Sequence, residues 1–345
     1  MRSIVACPAK LRRAVNVSVL RLRDCFLVAA FVLTILPSSS RAQTAPLFRI
    51  AYGVSGENPA ALWVGLKQGF YRKHGLNVEA IFMRNGPRSM SGMVSGDVQM
   101  NFTSANNVLN AAAAGMDAVV VANVIAHGDG VFMARPEIQK PEDLKGKSVA
   151  IQSIGGGGWA NNMLCLDYLN LDPERDKIPF VVLGDQPSRV QALESGRVQA
   201  SWIGYTFSEP LKKKGYTAFV DLGRAPIPYM GSSLVTRRQF VRQDPKNIEG
   251  IIKGTLDAVR FIAKPDNKTA VTQTIMSHLR LSRPEEAEAS YRVIQNLYSN
   301  DLLPQAAGVK KIHQILSRAN PNLRKMNPVE VIEDSLIQRI HASGY

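Results

Sequence analysis

From residue 48 onward, short apolar runs rich in β-branched residues alternate with longer stretches whose apolar positions recur every three to four residues. Residues 48–54 (FRIAYGV) predict a strand. Asn58 then offers an N-cap and Pro59 a first helical position, where the missing N–H of proline costs nothing. The pattern predicts that helix to run to His74 and stop at Gly75. Residues 78–82, 98–102 and 119–125 read as strands, the last two separated by the helical run NNVLNAAAAG. Strands alternating with helices in this way imply parallel βα units and an α/β class. Further on, Asp244-Pro245 opens a long helix with Ile248, Ile251, Ile252, Leu256, Val259 and Ile262 on one face, closed by Lys264-Pro265. Residues 268–279, 284–299, 305–318 and 328–342 complete a helical C-terminal region.

One segment recurs. Residues 87–99 read PRSMSGMVSGDVQ and residues 187–199 read PSRVQALESGRVQ, a gapless offset of one hundred. Pro, Ser-Gly and Val-Gln coincide, and each copy predicts a helix ending on glycine and followed by a strand. A βα unit repeated at this distance predicts two similar α/β lobes. Polar, proline-bearing stretches at 134–141 and 225–228 mark the transitions between them. The expected organisation is a discontinuous first lobe, 43–133 and 234–345, and an inserted second lobe, 134–233.

The first 42 residues read differently. Six Lys/Arg precede the uncharged run FLVAAFVLTIL at 26–36, and Ser40 and Ala42 are small residues suited to cleavage after Ala42. This is the pattern of a secretory signal. Eleven apolar residues are too few for a membrane span, which takes about 20. No lipobox cysteine follows the apolar run, so the expected product is a periplasmic protein without stable membrane insertion. The whole chain carries a net charge of +14. The leader, with seven Lys/Arg and Asp24, accounts for six of those charges, leaving +8. That balance favours anionic partners mildly, and no basic run with interleaved aromatics suggests nucleic acid. Lys212-Lys213-Lys214 reads as a solvated helix end. Cys7 and Cys25 lie in the leader, so Cys165 alone remains and no internal disulfide can form. The five histidines pair with nothing at metal-ligand spacing, and neither metal nor cofactor is expected.

The ordered set "NPAALWVGLKQGFYRKHGLNVE, SGDVQ, PEDLKGKSVAIQSIGG, SGRVQA, TRRQFVRQDPKNIEGIIKGTLDAVRFI" resembles the nitrate/sulfonate/taurine group of ABC-importer binding proteins, which also includes binders of thiamine-pyrimidine precursors. The resemblance covers residues 48 to about 265. It implies a two-lobed (type II) periplasmic-binding-protein fold, with two crossing strands and the ligand in the cleft. It also implies a small-molecule ligand, delivery to an ABC-importer membrane permease, and a monomer. Gln99 and Gln199 stand where such proteins often carry Asp, and the four-glycine run is richer than usual.

Helix N-termini facing the cleft supply free N–H groups and the positive end of the dipole, so they suit an anionic ligand. Three segments qualify: Ser55 to Asn58, Ser104 to Asn106, and 153–159 (SIGGGGW). The expected contacts are Ser55, Asn58, Ser104, Asn106, Gly155, Gly156 and Gly157, with Trp159 and Tyr205 as cleft walls. Trp202 reads as core, and His127 and Asp185 as loop-structural residues. No Arg or Lys stands at an obvious strand end to fix an oxyanion, so the glycine-and-aromatic lining suits a planar organic molecule as well as an anion. An enzymatic reading has little support. Gly155-x-Gly157-x-x-Ala160 has dinucleotide spacing but lies mid-chain in an exported protein. Cys165 sits in an apolar helical run, where thiols are inert. An enzyme of thiamine-pyrimidine synthesis on the same fold is the alternative, and the export signal argues against it.

Overall fold

The structure, a computed structural model, describes residues 47–53 and 56–345; the leader and Ser55 lie outside the described residues. In the first half, strands β1 (Leu47–Tyr52), β2 (Asn77–Phe82), β3 (Met100–Ser104) and β4 (Ala118–Asn123) alternate with helices α1 (Ala60–Lys67), α2 (Phe70–Lys73), α3 (Gly86–Ser95) and α4 (Ala105–Ala113). The chain then builds β5 (Val131–Ala134), β6 (Val149–Ile151), α5 (Gly157–Tyr168), β7 (Phe180–Val182), α6 (Gln186–Glu194), β8 (Ala200–Ile203), α7 (Tyr205–Lys213) and β9 (Thr217–Asp221). Strand β10 (Ser232–Arg237) leads into α8 (Arg238–Gln243), α9 (Pro245–Ala263), α10 (Lys268–Leu279), α11 (Pro284–Leu297), α12 (Ala306–Ala319) and α13 (Ser335–Ala342).

The strands form two five-stranded sheets of matching plan, β2-β1-β3-β10-β4 and β7-β6-β8-β5-β9. In each, a central strand pairs in parallel with two neighbours, and the fourth strand runs antiparallel. That fourth strand, β10 or β5, enters directly from the other sheet. Residues 124–130 and 222–231 therefore form the two crossings. The first lies a few residues ahead of its proline-marked stretch at 134–141, and the second contains the stretch at 225–228.

The hundred-residue repeat has a structural meaning. Asn85 and Asp185 cap α3 and α6, accepting the N–H of Arg88 and Ser188, each at 3.0 Å. Both helices are followed by a left-handed glycine, Gly96 and Gly196. Gln99 Oε1 accepts Arg49 N–H at 2.8 Å and Gln199 Oε1 accepts Ser148 N–H at 3.1 Å, so each glutamine fastens its own sheet's central strand. The two copies lie in different sheets, at equivalent places.

The C-terminal helices pack mainly on the first sheet's helices. The six apolar residues expected on one face of α9 are all buried, and Asp244 accepts from Asn247 N–H at the helix start. Two expected helices differ. The first breaks at Gly69, which takes φ +73 and separates α1 from α2. The last is not one helix over 328–342. After a single 3₁₀ turn (Pro328–Val331) the chain extends at Ile332, bridges Val120, and donates Glu333 N–H to Val120 O before α13 begins. That excursion covers the open edge of β4.

Candidate functional site

Between the sheets lies a small cavity of about 40 Å³, room for roughly three waters. One wall comes from the first sheet's connections: Gly53, Asn58, Gly86, Thr103, Ser104 and Asn107. The other comes from Gln152, Gly157, Gly158, Asn161, Gln186, Arg189 and Trp202. Asp129 on one crossing, with Tyr229 and Ser232 at the end of the other, closes the floor.

Arg189 dominates the cavity's electrostatics. Its position on α6 corresponds to Ser89 on α3, and its side chain is 2% exposed. Nη1 donates to Trp202 O at 2.7 Å and to Ser201 Oγ at 3.4 Å, and Nε donates to Asp185 O at 3.4 Å. The guanidinium stands 5.7 Å from the centre of the Trp202 ring, a cation–π distance. Nη2 has no hydrogen-bond partner, and no carboxylate forms an ion pair with Arg189, among the described residues. Burial pulls its pKa down to about 10, which leaves it charged at neutral pH. A buried charge without a counter-ion is costly, and an anion in the cavity would offset that cost. The N-terminus of α5 reinforces it: Gly157 and Gly158, whose N–H groups have no intrahelical acceptor, line the same cavity. A Cβ on Gly158 would lie 3.7 Å from Arg189 Nη1.

The far side of the cavity is acidic. Asp129 is 4% exposed and accepts from Asn58 Nδ2 at 2.8 Å. Burial, opposed by the Asn58 bond and aided by repulsion from Glu57, pushes its carboxyl up to about 7. Glu57 is itself buried, which raises its pKa, and accepts from the Thr206 hydroxyl at 2.7 Å. Trp202 Nε1 donates to Asp129 O at 2.6 Å, placing the indole between the acid and Arg189.

The residues singled out from sequence divide into four groups. Asn58, Ser104 and Gly157 line the cavity. Asn58 is not a helix cap, because its amide is committed to Asp129. Asn106 and Gly155 instead bond each other, Asn106 Nδ2 to Gly155 O at 2.6 Å, tying the two halves together beside the cavity. Gly156 is the N-cap of α5 and faces Ser153. Trp159 is buried in the core and does not line the cavity. Tyr205 opens onto a separate, solvent-open groove of about 650 Å³ with His127 and Arg292, and its hydroxyl donates to Asp221. That groove is larger, but its Lys212 and Arg224 already pair with Glu209 and Asp221. We place the site at the small cavity, where the unpaired buried charge lies. Ser55 is outside the described residues. Trp202, read as core, is buried in the core and also lines the cavity. Arg189 and Asp129 escaped the sequence reading. Gln99 and Gln199 are strand fasteners. Cys165 is fully buried, which raises its thiol pKa well above the ordinary range. Among the described residues no group of three or more His, Cys, Asp or Glu could hold a metal.

A family model described as NMT1/THI5 like matches residues 57–268, more than half of the chain. The chain belongs to the NMT1/THI5-like family. The match takes in every cavity-lining residue except Gly53 and ends at Lys268, leaving the rest of α10 and all of α11 to α13 outside. The chain is 24% identical over 261 residues to the taurine-binding periplasmic protein of Escherichia coli (strain K12), covering 74% of this chain and 78% of that one. Among solved structures it is similar to the alkanesulfonate-binding protein SsuA from Xanthomonas axonopodis pv. citri bound to MOPS, with TM-score 0.67 and 18% identity over 84% of this chain and 99% of that one. It is also similar to a Candida albicans protein described as exhibiting the generic periplasmic binding protein structural fold, with TM-score 0.66 and 15% identity over 84% and 96%. The fold of this NMT1/THI5-like protein is thus the periplasmic-binding-protein fold. No helix among the described residues is long and apolar enough to cross a membrane.

Proposed function

We propose that this protein is a solute receptor for a small molecule with an oxyanion end, which it delivers to an ABC importer. The observation that carries this reading is Arg189, buried in the cavity between the two sheets with one guanidinium nitrogen unpaired and no carboxylate partner among the described residues. An oxyanion there takes a charge-assisted hydrogen bond from Nη2 and further bonds from the first-turn amides of α5. The compactness of the cavity favours a small head group such as sulfonate, sulfate or nitrate, and the relatives that bind taurine and alkanesulfonates support that class.

In this reading the first lobe is 47–123 with 232–345, the second is 131–221, and the crossings between them act as hinges. The bonds that span the two halves are those of the closed form: Gln152 Nε2 to Arg84 O at 2.9 Å, Asn106 to Gly155, and Thr206 to Glu57. A ligand touching both halves binds that form better than an open one, and this difference drives closure. We further propose export through the 42-residue leader, a monomeric receptor, and recognition of the closed form by a membrane permease. No step of chemistry is assigned to it. A thermal-shift screen against taurine, short alkanesulfonates, sulfate, nitrate and uncharged analogues tests the reading. Stabilisation by at least one oxyanion and by none of its uncharged analogues is expected; stabilisation by neutral compounds alone would refute it.

A further inference from the structure

The acidic side of the cavity has a use that anion binding does not explain. Asp129 lies in the first crossing between two glycines that are packed against neighbouring backbone. A Cβ at Gly128 would lie 2.4 Å from Leu222 O on the second crossing, and one at Gly130, where φ is +72, would lie 2.6 Å from Ile203 O. The carboxyl is thereby held at the pivot of the molecule, where Asn58 of the first half reaches it. Glu57, its neighbour in sequence to Asn58, accepts from Thr206 at the start of α7 in the second half, and Thr206 Oγ1 also meets Ser290 Oγ of α11 at 3.1 Å. One bond between the halves, Thr206 to Glu57, and one from the first half to the crossing, Asn58 to Asp129, thus end on buried carboxyls.

The other groups facing them do not offset this. Glu57 is faced by Thr206 and by Tyr298, whose hydroxyl donates to Asn58 O at 3.0 Å. Asp129 is faced by Glu57, by Cys165 of α5 and by Tyr229 of the second crossing, with Asp221 and Tyr205 further out. Each of these is neutral or acidic at neutral pH. Arg189 is the only cation lining the cavity among the described residues, and the Trp202 indole stands between it and Asp129.

We propose that closure of this cleft is coupled to proton uptake by the Glu57–Asp129 pair, so that the closed form is favoured in mildly acidic medium and loosens as pH rises. The sign follows from burial. Both carboxyls are raised above their ordinary range, Asp129 to about 7. The stabilisation is therefore full below the ordinary carboxylate pKa and is lost progressively as pH rises from there through about 7. The inference rests on reading the cavity as a closing cleft, but not on which ligand fills it.

The test uses the ligand-free protein and two variants that mimic the protonated acids, Asp129→Asn and Glu57→Gln. Both keep an oxygen to accept the Asn58 or Thr206 bond. Small-angle scattering and thermal unfolding are recorded from pH 5 to pH 8.5. The wild type is expected to expand and to lose roughly 4 °C or more in Tm relative to Asp129→Asn as pH rises through 7. Both variants should stay compact across the range. A wild-type compactness that does not change with pH would overturn the proposal. So would a pH response that both variants retain. A Tm response without any change in scattering would also overturn it, since the pair would then titrate without governing closure. None of these outcomes touches the anion reading, which fails separately if oxyanions do not bind at any pH. Thr206→Val, which removes the donor and no titratable group, should weaken the closed form at every pH and so move the midpoint of the expansion to lower pH.

Discussion

At the scale of single residues, the cavity rests on a few side chains and one close approach. Arg189 carries the charge and Trp202 O holds it in place. Gly157 carries the geometry: a Cβ there would stand 2.9 Å from Ser104 Oγ, across the join between the halves. We expect Gly157→Val to hold the halves apart and to weaken oxyanion binding at least about tenfold, which corresponds to ~1.4 kcal/mol. Calorimetry beside small-angle scattering checks this; unchanged affinity in a compact protein would contradict it. The glycine run was legible in the sequence because glycine before a helix signals close backbone approach. Arg189 was not. In PSRVQALESG it reads as one more polar residue on the outer face of a helix, and only the packing of α6 against β8 turns it inward. Asp129 was hidden for a related reason: nothing in HGDG shows that the crossings meet there.

At the scale of elements, the repeat explains more than its five identities suggested. Asn85 and Asp185 cap, Gly96 and Gly196 terminate, and Gln99 and Gln199 fasten a strand. The glutamines departed from the pattern expected of such proteins, and the structure gives them a structural role. Gln199 also accepts the Ser148 hydroxyl at 3.0 Å. Gln199→Leu leaves the Ser148 N–H without its partner, which costs about 1–3 kcal/mol. Chemical denaturation should show that loss with ligand affinity unchanged; a loss of affinity at unchanged stability would instead make Gln199 a ligand residue. Strands β1 to β4, the α9 face and its cap were readable from periodicity and capping chemistry, whereas β5, β7 and β9 were not. The breaks at Gly69 and Ile332 were not, because the first rests on a backbone angle and the second on an edge strand far away in sequence.

At the scale of the whole molecule, the two sheets are joined by two crossings and by ties between the halves. Asp167 on α5 pairs with Lys311 at 2.8 Å and Arg318 at 2.6 Å on α12, so a C-terminal helix reaches across to the second sheet's first helix. The proposed export belongs to this scale as well, since it would decide where a receptor meets its ligand. Mass spectrometry of the exported protein is expected to show a chain beginning at Gln43, 303 residues long; an intact leader would remove the export reading. The central claim is that an oxyanion sits between Arg189 and the first turn of α5. The most direct test is isothermal titration of the wild type, Arg189→Gln and Arg189→Lys with the oxyanion that stabilises the wild type most. Loss of one charge-assisted bond to a buried charge is worth about 1.5–3 kcal/mol, so Arg189→Gln should weaken binding by roughly ten- to a hundredfold while the variant stays folded. Arg189→Lys, which keeps the charge but loses the planar fork, should fall between the two. Equal affinity in all three proteins would contradict the account.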